Sequence, residues 1–214
     1  MTIVTVHGEA RREVPPEQAV FSVTVSARDR DKPSVVTRLT ERSAEVGKIL
    51  DRYGTAIERR ETAGLHVYQE YRRRGERSAF HSGSLTTTVT VVDFDPLGEL
   101  LAQLASSESI SVSGPWWRLR PGSRAGADVR RDAVTDALDR AREYAAAVGS
   151  ELDRIVEISD AEAAGAHPMM MRAAGGAAED AEDGPAFDLD PRQQVVEARV
   201  LMRVTITEPT VLRA

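Results

Sequence analysis

The chain has no cysteine among its 214 residues, which excludes disulfides, a thiolate nucleophile and every cysteine-ligated metal or cluster site. That absence fits a reducing compartment and sets the expectation of a cytoplasmic protein. Long apolar runs are missing too. No window approaches the roughly 18 consecutive apolar residues of a membrane-spanning helix. The first residues alternate Thr2, Ile3, Val4 and Thr5 instead of joining a basic start to an apolar block, so no transmembrane segment and no export signal is read. Positive charge is in deficit: the formal net charge is -6 and the pI about 5.4, which argues against a nucleic-acid partner. Lysine is almost absent, with Lys32 and Lys48 alone, and the matching arginine excess reads as composition rather than as an anion-binding design.

Catalytic signatures are lacking as well. His7, His66, His81 and His167 are scattered, with no spacing that sets two ligands on one helical face. No Gly-x-Ser-x-Gly elbow occurs, and Ser82-Gly83-Ser84 stands at the start of a strand where a hairpin accounts for it. Gly122-Ser123-Arg124-Ala125-Gly126 has neither the ending of a P-loop nor the glycine spacing of a dinucleotide fingerprint, and serves as a turn. No catalytic residue, metal site or cofactor is assigned. His167-Pro168-Met169-Met170-Met171 could offer imidazole and thioethers to a soft ion. A cluster of methionines is more commonly an adaptable contact surface, and Met169, Met170 and Met171 are taken as interface candidates.

What is present is periodicity. With 41% hydrophobic and 29% charged residues, the composition suits one soluble domain spanning 1–214. Thr2 to Ala10 and Ala19 to Ala27 alternate with period two and read as antiparallel strands joined through Pro15-Pro16. Asp31 offers an N-cap ahead of Pro33, and Val35, Leu39, Val46, Ile49, Leu50 and Tyr53 form a helical stripe ending at Gly54. Glu61 to Arg72 and Ser82 to Val92 read as a hairpin with its tip over Arg72 to Arg77. Leu97, Leu100, Leu101 and Leu104 mark a short helix after Asp95-Pro96, and Ser109 to Leu119 a further strand. The third helix, about Ala127 to Val148, carries Val134, Leu138, Ala141, Ala145 and Val148 and stops at Gly149. Leu152 to Ser159 and Val195 to Thr207 complete the strands, the latter placed inside the sheet. Residues 161–191, rich in Ala, Gly, Pro and acid, read as a mobile loop inserted before that last strand.

Trp116 and Trp117 are adjacent, so in a strand they point to opposite faces and only one can enter the core. The other, with Pro115 and the outward face of Val195 to Thr207, is expected to form a subunit contact, since large aromatics concentrate at interface centres. Arg118, Arg120 and Arg124, ahead of the third helix, could hold an anion, although solvated arginines are the commoner outcome.

Several stretches in order resemble the SIMPL-domain (DUF541) family. They are Val6-His7-Gly8-Glu9-Ala10, with Ala10 where a second Gly is usual, then Pro15 or Pro16, then a helix and an extended segment reaching Tyr71. There follow the Thr/Val strand Leu85 to Val92, Leu97-Gly98-Glu99-Leu100-Leu101, Val112-Ser113-Gly114-Pro115-Trp116, and Ala133 to Gly149 before Ile155-Val156-Glu157-Ile158. The resemblance implies an α+β domain with about three amphipathic helices on an antiparallel sheet. It also implies a family described as structural, oligomeric or stress-linked, some of whose bacterial members are envelope proteins with export signals. The reading that follows is a non-enzymatic homo-oligomer or protein-interaction module. The alternative is an enzyme or a small-ligand or anion-binding protein, with a pocket lined by Arg118, Arg120 and His81.

Overall fold

The computed structural model describes residues 2–70, 80–160 and 186–211. Its elements, in chain order, are β1 (Thr2–Val14), β2 (Gln18–Asp29), α1 (Lys32–Arg52), β3 (Ile57–Glu70), β4 (Phe80–Val91), α2 (Leu97–Ala105), β5 (Ile110–Arg118), α3 (Ala125–Ala147), β6 (Leu152–Asp160) and β7 (Gln194–Ile206). The class is α+β, with two antiparallel sheets in place of the one expected: β1-β7-β6 and β3-β4-β2-β5. The chain divides accordingly into two compact units, one drawn from its start, its middle and its end, the other from Pro16–Arg120 with the segment that runs up to Arg192.

The separation begins at Pro15-Pro16. β1 and β2 do not pair with each other, contrary to the sequence expectation: β1 pairs with β7, and β2 lies between β4 and β5. Two consecutive prolines supply no N–H and hold the chain extended, so it passes from one sheet to the other instead of folding back.

In the first unit, α3 packs on β1 and β7 and barely reaches β6. Its buried face is Val129, Ala133, Ala137, Ala141 and Ala145, one residue every four. The larger Val134 and Leu138, expected on that face, are only partly buried at its margin. The reason lies opposite, at Gly8. A Cβ there would overlap the carbonyl oxygen of Ala133 and stand 2.6 Å from both Ala137 N and Ala137 Cβ. The helix lies so close to β1 that only alanine fits between them. Val6, Val200, Met202 and Val204 complete this core.

The second unit buries Phe21, Val23, Val25, Val89 and Val91 of its sheet under α1 and α2. α1 starts as read: Asp31 caps it, accepting a bond from Ser34 N at 3.1 Å, and Val35, Leu39, Val46 and Leu50 face inward. In α2, Leu97, Leu100, Leu101 and Leu104 are all buried. β5 bulges against β2, with Gly114 and Pro115 opposite the single Phe21. Gly114 has φ of 110°, and a Cβ on it would come within 2.9 Å of Val20 O, so glycine is required at the bulge. Of the loop expected over 161–191, residues 161–185 lie outside the described residues, as does the tip at Arg72–Arg77. The end of that loop is anchored: Leu189 packs on the core, and Phe187 N donates to Gly98 O at 3.3 Å.

Candidate functional site

The two tryptophans divide as their adjacency requires. Trp117 packs on the core of its unit, edge-on to Phe94 with ring centroids 5.0 Å apart and planes at 77°. Trp116 points the other way and is 46% exposed. It stands beside Pro115 on β5, an outermost strand of its sheet. Met169, Met170, Met171 and His167 lie outside the described residues.

Of the three candidate anion-binding arginines, Arg118 and Arg120 are engaged. Arg118 Nε donates to Gln18 Oε1 at 3.0 Å and its Nη2 to Thr90 Oγ1 at 3.4 Å. Arg120 pairs with Glu58 at 3.0 Å, and its backbone N–H meets Glu17 Oε2 at 2.8 Å. Gln18 in turn donates to Glu58. These groups satisfy one another. Arg124 belongs to the other unit, where it is the residue ahead of α3 and makes no side-chain cap. His81 is turned to the carbonyl of Arg30, its Nδ1 at 3.2 Å, and it pairs in register with Asp29 at one end of β2 while Arg118 pairs with Gln18 at the other, so the two do not meet in one pocket.

Two other features stand out. The first is β6, the edge strand that α3 leaves uncovered. Ile155, Val156 and Ile158 are 44%, 47% and 50% exposed. Ile155 is in register with Val204 and Ile158 with Met202, both buried under α3, so the two isoleucines extend the apolar helix-side face past the helix. Extra residues at Asp153 and Val156 interrupt the register, which places Arg154 and Glu157 together on the opposite face. The Glu157 carboxyl is held below its ordinary pKa, first by the hydroxyl of Ser159 at 2.9 Å and then by Arg203 at 3.2 Å.

The second is an open cleft of about 580 Å³ in the four-stranded sheet's unit, lined by Ser26, Arg28, Arg42, Tyr68, Ser84 and Glu108 among others. It forms where β2 runs on past the start of β5. Ser26 N still donates to Ser109 O at 3.1 Å, and beyond it Ala27 to Asp29 pair with β4 alone. Two cross-strand rows cross its floor, Ser26 with Ser84 and His66, then Arg28 with Ser82 and Tyr68. Both rows lie on the face turned away from α1, because Ala27 and Gly83 between them face the helix, Gly83 against Val35 and Leu39. Arg28 is fixed by Glu70 at 2.7 Å and by the Phe80 ring at 4.6 Å, and Arg42 donates to Ser26 O. Next to the cleft, Asp29 accepts from the backbone N–H groups of Asp31 and Arg30 and pairs with Arg38, and these interactions, the Asp31 bond foremost, lower its pKa.

None of the cleft's polar groups was singled out in the sequence as a ligand contact. The available signal was that the outward positions Ser22, Thr24, Ser26, Thr86 and Thr88 are all short hydroxyls, where a solvent face normally mixes in long charged side chains.

Among the described residues, no helix is long and apolar enough to cross a membrane. A family model described as SIMPL, protein of unknown function (DUF541), matches residues 4–204. No curated protein matches the chain.

Proposed function

Because the chain belongs to the SIMPL (DUF541) family, a family defined without an assigned activity, we propose that it acts as a non-enzymatic, self-associating interaction module of the cytoplasm. The observation that carries this reading is the bare apolar strip on β6. β6 carries charges and bulges of the kind that guard an edge strand, but Ile155, Val156 and Ile158 stand exposed within four residues, and among the described residues no helix covers them.

The occupant is a second copy, because β6 is complementary to itself. Antiparallel pairing of two β6 strands about Ile155 sets Arg154 opposite Glu157 of the other copy, twice over. On the other face it sets Ile155 against Ile155 and Leu152 against Ile158. The extra residues at Asp153 and Val156 interrupt ladder hydrogen bonding there, so side chains carry most of the contact and association depends on concentration.

Light scattering behind size-exclusion chromatography tests this over a range of concentrations. The wild-type mass is expected to rise toward a multiple of 23.3 kDa. Arg154→Glu should return it to monomer by setting like charges against each other, and Arg154→Glu combined with Glu157→Arg should restore the assembly. A monomer throughout removes the proposal. An assembly indifferent to both variants moves the contact away from β6, with Trp116 the next surface to vary.

A further inference from the structure

The cleft beside β2 has a chemistry of its own, independent of self-association. We propose that it binds a neutral polyhydroxylated chain, a glycan segment, with Tyr68 as the stacking platform.

The charge balance points to a neutral ligand. Arg28, Arg42 and Glu108 line the cleft, and Glu70, behind the lining, adds a second negative charge as the partner of Arg28. The Arg28 charge is already met by Glu70 at 2.7 Å. A site for a phosphate or carboxylate would show an excess of donors, and among the described residues this one shows none.

The hydroxyls define the class further. Ser26, Ser82, Ser84 and Ser109 lie in the cleft, Ser82 already donating to Glu70 and Ser109 sharing a bond with Ser107, so that Ser26 and Ser84 are the hydroxyls offered first to a ligand. A hydroxyl donates one hydrogen bond and accepts others, and so matches a ligand made of the same groups. Arg42 and Glu108 add one strong donor and one strong acceptor. The Tyr68 ring, 57% exposed on β3, is an apolar plate with a polar tip at the side of these groups, suited to the apolar face of a sugar ring.

The shape favours a chain over a single sugar. The cleft is open, and it continues along the sheet into further hydroxyl rows: Thr24 with Thr86, their oxygens 2.9 Å apart, and Ser22 with Thr88. Ser111 and Ser113 of β5 extend the same rows. Neighbouring strands stand about 4.8 Å apart, and same-face residues about 6.8 Å apart along each strand, so the surface repeats as a polymer does.

The experiment titrates cellohexaose and maltoheptaose into the full isotope-labelled chain and follows backbone amide shifts. Millimolar-range binding that moves the Ser26, Ser82 and Ser84 amides is expected for at least one of them. Tyr68→Ala should weaken it by about tenfold, and Tyr68→Phe should retain it, since stacking needs the ring and not the hydroxyl. Tyr68 is exposed, so Tm should be unchanged in both variants, which separates lost binding from lost folding. No shift with either sugar, or shifts confined to other surfaces, would overturn the assignment. Inorganic phosphate is the control: if it moves the same amides at lower concentration than the sugars, the site is an anion site and the proposal fails.

Discussion

Gly8→Val is expected to lower the stability of the α3 unit by about 3 kcal/mol or more, at the upper end of what overpacking costs. The glycine is not there for backbone freedom. Its missing Cβ is the space into which Ala133 and Ala137 descend, with Ala137 N and Cβ each 2.6 Å from where a side chain would begin. Two of these neighbours, the Ala133 carbonyl and the Ala137 amide, are helix backbone, so no rotamer change relieves the overlap. The helix must lift as a body, exposing Val6, Val200, Met202 and Val204. Thermal unfolding should show a fall on the order of 10 °C for the transition that includes this unit. Amide exchange should speed up in β1, β7 and α3. Gly47 is the matched control, since it sits in α1 with nothing within 4 Å of its absent Cβ. Gly47→Ala should leave stability unchanged or raise it by roughly 0.5–1 kcal/mol. Equal behaviour of the two variants would show that the close approach at Gly8 is not what holds α3 down.

Trp117→Ala and Trp116→Ala should differ by nearly the full worth of a core aromatic, although the residues are neighbours. Removing Trp117 takes away the edge-on contact to Phe94 and opens a cavity against the core, for a loss on the order of 3 kcal/mol. Removing Trp116 takes away a ring that is 46% exposed and should change stability by less than about 0.5 kcal/mol. Denaturant melts of both variants check this. Intrinsic fluorescence supplies a second readout, because with two tryptophans in the chain each variant reports the environment of the other. Comparable losses in the two would mean that the faces of β5 are not divided as described.

Local signals in the sequence carried much of the fold. The Asp31 cap with Pro33 behind it, the leucines of α2 and the alternation of β7 each follow from a spacing that one element sets by itself. The misreadings came where a second element decided. Val134 and Leu138 look like the buried face of α3 when the helix is considered alone, but the distance to β1 selects the alanines instead. Pro15-Pro16 reads as a turn until two sheets are known to exist. The site residues were the least legible, because Arg28, Arg42, Tyr68 and Glu108 come from four separate stretches of chain and meet only where β2 outruns β5. Arg118 and Arg120 looked free for a ligand because their partners Gln18, Glu17 and Glu58 are distant in sequence.

The pairing of β1 with β7 also sets a clock on synthesis. Of the described strands, β1 is made first and its partner β7 last, and β7 supplies the centre of that sheet. Until the final strand emerges, β1 has no ladder to join and the alanine face of α3 has no surface to close on, while Pro16–Arg120 already contains every strand of the other sheet. The nascent chain therefore carries one complete sheet and one waiting sheet, whose apolar strands stay open to wrong partners until β7 has been made.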